Sequence, residues 1–599
     1  MREFTAPTSI EVAATDSLTD SLAEGSPRDP GEALFRRRGS SGAWTEVTRA
    51  EFADTVRGVA KGLLASGVGH GDRVGLLAAT RYEWSVVDYA LWWVGAATVP
   101  IYESSSAGQL QWILSDSGAV GIVVENDEHR ATVDKVRDEC PDLTNVWQID
   151  DGDDSALDVL TAAGAEVTDA DLESRRSAVG SDDLATLIYT SGTTGRPKGC
   201  ELTHGNLVAE SKACRAAFDD FFAPGESTLM FLPLAHVFAR AIAVGSVDAG
   251  VVVGHTADVK NLLGDLGEFQ PSFILSVPRV FEKVYNGARQ KAHGDGKGKI
   301  FDRAEAVAVS WSRAQDEGGP GIGLKVQHAL FDKLVYGKLR AALGGRCESA
   351  VAGGAPLGER LGHFFRGMGV PVFEGYGLTE TSAAATANTP QHSRVGTVGR
   401  PIPGCAVKIS EDGEVLLSGG VVLRGYWHNE EATAESIQDG WFHTGDLGSL
   451  DDDGYLRITG RKKEIIVTAG GKNVAPAVME DKMRANALIS QCMVVGDQKP
   501  FIAALVTLDE EALPGWLERA GKPADTAVAD LVDDEDVRKE VQAAVGEAND
   551  LVSKAEGIKK FRILAADFTE DSGELTPTMK LKRNVVKDNH SGEIEALYS

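Results

Sequence analysis

No two of the six cysteines, at positions 140, 200, 214, 347, 405 and 492, stand in a C-x-x-C pair. That scatter excludes a disulfide-stapled scaffold and a cysteine zinc site, and it fits reduced thiols in a cytoplasmic protein. Long apolar runs are missing too. The greasiest stretch, YALWWVGAATVPIY, is too short to span a bilayer and reads as a buried helix leading into a strand. The first twenty residues, MREFTAPTSIEVAATDSLTD, contain no apolar h-region, so no secretory signal is expected there. Basic residues are outnumbered, 60 Lys and Arg against 89 Asp and Glu. The resulting net charge of −29 argues against nucleic-acid binding. One segment departs from this balance: residues 279–346 hold 13 Lys or Arg and 7 Asp or Glu.

What is present is the composition of a large globular protein. At 599 residues, 43% hydrophobic and 25% charged, the chain predicts two to four structural units. The first thirty residues, polar and rich in Pro, Gly and Ser, read as a flexible tail. From Trp44 helical and strand-like segments alternate, as in EFADTVRGVAKGLLASGV followed by DRVGLLAA, which is the α/β signature. After Arg400 short strands with Gly-rich turns (GEVLLSGG, GYLRITG) predict a smaller β-rich unit, and beyond Val478 the chain reads as helical and acidic.

Four stretches carry chemistry. YTSGTTGRPKG, Tyr189 to Gly199, follows an apolar strand and resembles a phosphate-binding loop, but it is not a Walker A sequence, because Lys198 follows Pro197. Its small residues let backbone N–H groups approach phosphate oxygens, and its hydroxyls and lysine add donors; a surface turn favours the same residues. EGYGLTETS, Glu374 to Ser382, offers an aromatic ring for a purine and a carboxylate for a cation, or a packed Tyr and a solvated Glu. GWFHTGDLG followed by GRKKE supplies Asp446 and Arg461, suited to a ribose diol or to a turn with a surface ion pair. TPTMKLKR holds Lys580, which alone means only a solvated lysine.

Together, and in this order, the four stretches closely resemble the adenylate-forming superfamily of acyl-CoA synthetases, peptide-synthetase adenylation domains and luciferases, from about Trp44 to Arg583. LPLAHVFAR, SVPRVFEKVY and the run from Asp439 to Pro476 are similar to its long-chain fatty-acid–CoA ligase branch, and the stretch between Tyr285 and Arg340 is similar to an insertion in eukaryotic-type members. The resemblance implies an α/β fold: a large N-terminal α/β domain (31–461) with a β-rich subdomain (about 395–461), and a small mobile α+β lid (462–599) hinged at Lys463. It implies long-chain fatty acid, ATP and CoA as substrates and Mg2+ as cofactor. A fatty acyl-AMP ligase loading a carrier protein is the near alternative, and a non-catalytic binding protein the distant one.

Carried over residue by residue, Thr190 and Glu380 hold Mg2+. Ser191, Gly192, Thr193, Thr194 and Lys198 hold the outer phosphates. Gly375, Tyr376, Gly377 and Thr379 cradle adenine, and Asp446 and Arg461 bind ribose. Lys580 reaches the reacting carboxylate and α-phosphate, with His236 beside the acyl carboxylate, where a packed core histidine is the competing reading. Gly353, Gly354 and Ala355 line the acyl path, and Gly470 and Gly471 line a pantetheine tunnel after rotation about Lys463. Ala239 departs from the pattern, since many long-chain ligases carry Glu there. HALFDKLVYGKLRAAL, in the basic segment 279–346, reads as a helix that packs on the core or skims anionic lipid at the inner membrane face.

Overall fold

Thr48 opens the first long helix with a capping box. Its hydroxyl accepts from Glu51 N–H, and the Glu51 carboxylate accepts from Thr48 N–H. Phe52, Val56, Val59, Ala60 and Leu63 then recur at helical spacing along Arg49–Ala65 and are buried. They pack against the helix Tyr82–Trp93, apolar on nearly all sides and almost wholly buried. The structure is a computed structural model; it describes every residue except 1, 40, 41, 151, 153, 154, 191–195 and 577–579.

These helices cover a seven-stranded sheet. Asn145–Gln148, Gly121–Val124, Arg73–Leu77, Ala97–Ile101 and Leu184–Thr190 run parallel, and Lys198–Thr203 and Gly425–Tyr426 extend one edge antiparallel. A second sheet holds the parallel strands Phe273–Ser276, Ser349–Ala352 and Val372–Tyr376, with Thr386–Ala387 and Arg400–Pro401 added antiparallel. A buried ion pair ties the helices to the first sheet. Arg240 Nε donates to Asp88 Oδ2 at 2.9 Å between the rings of Trp84 and Trp92, and its Nη1 donates to the Thr186 hydroxyl at 2.5 Å.

The β-rich unit is a six-stranded antiparallel sheet that includes Cys405–Ile409, Glu414–Gly419, Trp441–Leu450 and Leu456–Arg461. Here the expected loose tail is corrected. Glu3–Thr5 pairs antiparallel with Cys405–Ile409 as the sheet's edge strand, and Leu18 and Leu22 are buried in the main core. Apolar residues spaced thinly among Pro, Gly and Ser look like a tail, yet Ile10 and Val12 also pack against the main core.

The reading of the chain beyond Val478 as helical also needs correction. It contains a sheet of Ile489–Val495, Ile502–Leu508 and Ile558–Ile563, against which the helices Pro476–Arg484 and Glu535–Asn549 pack around a hydrophobic core of their own. That core begins at Ile466, whereas the core of the β-rich sheet ends at Ile458. Among the described residues no helix is long and apolar enough to cross a membrane.

Candidate active site

The strand Leu184–Thr190 and its antiparallel partner Lys198–Thr203 bracket the Gly/Thr loop, with Thr190 opposite Lys198 in register. Ser191, Gly192, Thr193 and Thr194 lie outside the described residues. The flanks of the loop are pinned by one helix, Ala107–Ser117. Trp112 Nε1 donates to the Pro197 carbonyl at 2.9 Å, the Arg196 guanidinium lies 4.6 Å from the Trp112 ring, and the Tyr189 hydroxyl donates to Asp116 at 2.6 Å.

The strand Val372–Tyr376 delivers Tyr376, and a single turn, Thr379–Thr381, carries Glu380. Gly377 is forced by close approach, since a Cβ there would fall 1.7 Å from the Ala383 carbonyl oxygen. Ser382 and Ala383 both have positive φ, 56° and 122°, and neighbours hold this strained turn. Ala384 N–H donates to Glu210 Oε1 at 3.0 Å, Ser382 Oγ to the Val421 carbonyl at 2.8 Å, and Leu423 N–H to the Glu380 carbonyl at 2.8 Å. Sequence reasoning missed Tyr426, whose hydroxyl donates to Glu380 Oε1 at 2.9 Å and whose ring lies 5.3 Å from Lys198 Nζ. Burial first and Glu380 second push the Tyr426 phenol far above its usual value, so it stays a donor. Only the pairing of Gly425–Tyr426 with the edge strand brings it here, and no local motif announces that.

Thr190 Oγ1 lies 3.9 Å from Cys200 Sγ, whose thiol is pushed up by burial and then by the neighbouring Glu380 carboxylate. Thr190 and Glu380 therefore flank the same side chain. Among the described residues no group of three or more His, Cys, Asp or Glu is placed to hold a metal. A hydroxyl and a carboxylate are instead the hard oxygen donors that fit Mg2+ when phosphates and water complete its shell.

Asp446 is the centre of a second cluster. Nearly buried, it faces Arg461 across the strands Trp441–Leu450 and Leu456–Arg461. Its Oδ1 accepts from Arg461 Nε at 2.8 Å and its Oδ2 from the Tyr376 hydroxyl at 2.7 Å. Burial and then Asp446 push the Tyr376 phenol well up. The expected adenine and ribose residues are thus already joined, with one carboxylate oriented by two donors.

Lys580 enters from the C-terminal unit. Its side chain reaches solvent, but within a crevice shared with Arg461, Asp446, Glu380 and Glu464. The enclosing protein first, and Arg461 second, hold its ammonium below the ordinary lysine value, while the three carboxylates oppose the shift. His236 caps the helix Val237–Ala249, its Nδ1 accepting from Phe238 N–H at 3.2 Å. Burial, then the nearby Lys580, lowers it to about 4. The ring is therefore neutral with its proton on Nε2. Two residues on, Phe238 meets Gly353, where a Cβ would lie 3.1 Å from the Phe238 ring, and Gly354 (φ +83°) and Ala355 follow, exposed. Of the remaining expected residues, Gly375 lies against the Thr386 carbonyl. Gly470 and Gly471 (φ +75°) form the exposed tip between Ile466–Val467 and Asn473–Val474, and Lys463 is exposed in the turn Lys462–Glu464.

Residues 24–427 match the family model of AMP-binding enzymes, and residues 463–599 match that of the AMP-binding enzyme C-terminal domain. The chain is 55% identical to the long-chain-fatty-acid–CoA ligase FadD15 of Mycobacterium bovis over 599 residues, the full length of both. It is 32% identical to the long-chain-fatty-acid–CoA ligase ACSBG2 of Xenopus laevis, over 94% of this chain and 81% of that one. Among solved structures, the anthranilate CoA ligase AuaEII bound to anthranoyl-AMP superposes with a TM-score of 0.73 at 19% identity, covering 96% of this chain and 98% of its own. A Mycobacterium tuberculosis fatty acyl CoA synthetase gives 0.62 at 23% identity, covering 96% and 99%. At such identities the two structural likenesses speak for the fold.

Proposed function

The chain belongs to the AMP-binding enzyme family, and we propose that it is a long-chain fatty-acid–CoA ligase. It activates the fatty acid with ATP as an acyl-adenylate and then transfers the acyl group to CoA. The observation that carries this reading is the 55% identity, end to end, with a long-chain-fatty-acid–CoA ligase.

A carboxylate is a poor acyl donor because its oxygen leaves badly. In the first step a carboxylate oxygen bonds to the α-phosphorus of ATP while the bond to pyrophosphate breaks; in the second, the CoA thiol sulfur bonds to the acyl carbon while AMP leaves. Charge neutralisation and positioning dominate the first step. We assign Lys580 to the charge that develops on the carboxylate and α-phosphate. The entering anions would raise its depressed proton affinity and hold it as the ammonium. His236, neutral and held through Nδ1, turns its Nε2–H to the acyl carboxylate. Tyr376 presents its ring to adenine, with Gly375, Gly377 and Thr379 shaping the cradle, and Asp446 and Arg461 hold the ribose hydroxyls. Ser191, Gly192, Thr193, Thr194 and Lys198 grip the outer phosphates, and Gly353, Gly354 and Ala355 border the acyl chain. Thr190 and Glu380 would hold Mg2+, which neutralises phosphate charge when bound, and Tyr426 orients Glu380 for it.

Residues 462–599 act as the lid and Lys463 as its hinge, between the core that ends at Ile458 and the one that begins at Ile466. Rotation there withdraws Lys580 and turns Gly470 and Gly471 inward for the pantetheine arm. Six buried, unpaired cysteines support a reducing, cytoplasmic setting. Peripheral membrane contact through residues 279–346 belongs to the same proposal.

The test is mass spectrometry of the products from palmitate, ATP, Mg2+ and purified protein, with and without CoA. Palmitoyl-CoA and AMP formed only with CoA are expected. Palmitoyl-AMP that accumulates and ignores CoA would overturn the reading in favour of an acyl-AMP ligase.

A further inference from the structure

The strands Glu414–Gly419 and Trp441–Leu450 do not pair evenly. Leu416 faces His443, but Glu414 faces Leu447, so Thr444, Gly445 and Asp446 bulge opposite Val415. A bulge takes backbone N–H groups out of the ladder, and each then needs another acceptor. Glu414 supplies one. Its Oε1 accepts from Gly445 N–H at 2.9 Å, where Gly445 has φ +72° and Asp446 follows directly.

The other oxygen of Glu414 serves the hinge. Oε2 accepts from Lys462 Nζ at 3.2 Å and lies 3.5 Å from His443 Nδ1. The side chain is only 9% exposed, and a carboxylate so enclosed needs such donors. Lys462 also pairs with Asp412 at 2.6 Å, so the β-rich sheet holds it twice. Beyond Lys463 the holder changes. Glu464 Oε2 lies 3.4 Å from Arg583 Nε, and Arg583 follows shortly after Lys580 in the C-terminal unit. There Arg583 is fixed by Glu480 and by the Val494 carbonyl at 3.3 Å, while Glu480 accepts from Val494 N–H at 2.6 Å. Lys463 stands between the two anchors.

We infer that Glu414 is a positioning residue for adenylation, one carboxylate that sets both the ribose turn and the hinge: Oε1 holds Gly445 ahead of Asp446, and Oε2 holds Lys462 ahead of Lys463. The Glu464–Arg583 pair carries that setting on toward Lys580. With both flanks anchored, rotation is confined to Lys463, and Lys462 favours the orientation in which Lys580 faces Asp446. Glu414 touches no reacting atom and acts through the residues it holds. The inference rests on the ligase reading and on its hinge at Lys463.

Two measurements on the full-length protein test it. The first compares ATP–pyrophosphate exchange with CoA acylation from synthetic palmitoyl-AMP. Glu414→Gln keeps an oxygen for Gly445 N–H but gives up the charge that draws Lys462. Exchange kcat should therefore fall about fivefold at an unchanged KM for ATP, with acylation spared. Lys462→Met should cost as much or slightly more, since it also loses Asp412, and Lys462→Arg should keep the rate. The Glu414→Gln, Lys462→Met double variant should be no slower than Lys462→Met, because the two remove one shared contact. Glu414→Ala, which also frees Gly445, should raise the KM for ATP as well. The second measurement needs no substrate. Tryptic cleavage after Lys463, followed by mass spectrometry of the two fragments, should be faster in Glu414→Gln. It should be unchanged in Glu46→Gln, which breaks the exposed Arg36–Glu46 pair instead. Equal losses in both half-reactions, additive effects in the double variant, or cleavage at the wild-type rate would overturn the inference. Wild-type protein that performs neither half-reaction would overturn the ligase reading instead, and the cleavage rates would still decide whether Glu414 anchors this turn.

Discussion

Removing two cations from the helix Pro278–Gly294 should slow adenylation and spare thioester formation. Arg279 donates to Asp509 of the C-terminal unit at 2.5 Å, and Lys283 pairs with Glu511 at 2.8 Å. Ser104 also meets Glu570 of the C-terminal unit, and together these contacts hold the orientation in which Lys580 faces Asp446, Arg461 and Glu380. The Arg279 and Asp509 side chains are 28% and 13% exposed, so their pair falls between a surface bridge and a buried one, about 1–2 kcal/mol. The exposed Lys283 pair adds about 0.3 kcal/mol. Arg279→Ala with Lys283→Ala should therefore lower the population ratio of this orientation about tenfold. Replacing Asp509 instead would confuse the result, because its Oδ1 also accepts from Ala512 N–H at the start of the following helix. ATP–pyrophosphate exchange should fall by up to about that factor, while CoA acylation from synthetic palmitoyl-AMP keeps its rate or gains. The melting temperature should hold, because each unit has its own core. Equal losses in both half-reactions, or unaltered exchange, would refute the reasoning.

Lys580→Ala should cost roughly 10²–10³ in adenylation and leave acylation from synthetic palmitoyl-AMP intact; an equal loss there would count against its role. Lys463→Pro should preserve pyrophosphate exchange and depress thioester formation, as stopped-flow of the two steps would reveal. Tyr426→Phe removes a charge-assisted hydrogen bond to Glu380, about 1.5 kcal/mol, so exchange should fall about tenfold and require more Mg2+; an unchanged Mg2+ titration would remove Tyr426 from the site. Glu210 is raised by burial to about 8, with Oε2 unpartnered. Between its ordinary 4.5 and that value the unfolded chain is ionised while the folded chain holds the proton, so stability should fall as pH rises across the window. The effect is bounded by about 5 kcal/mol. Denaturant titrations at pH 6 and pH 8 should show Glu210→Gln flattening that slope, and parallel curves would mean that the folded carboxyl is already ionised.

Much of this protein was legible in order along the chain. The strand before YTSGTTGRPKG and the glycine of YGLTE follow from local rules: apolar runs make strands, and Gly377 alone tolerates the Ala383 carbonyl. Those features depend on neighbours a few residues away, and a motif records them. The rest depended on distance. Tyr426 reaches Glu380 only because a two-residue strand adds to the edge of the large sheet, and Glu210 supports the Ser382–Ala383 turn from a helix 174 positions away. Glu3–Thr5 is a strand only because Cys405–Ile409 leaves an edge free for it. The exposed face of Ile322–Phe331 was likewise hidden, since apolar residues all around a helix say nothing of which side the core will cover. The sequence by itself determined the chemistry its loops carry, because residue type and spacing set which groups a turn presents. Only the tertiary structure decided which partners orient those groups and which surface stays open, because both are settled by packing between segments far apart in the chain.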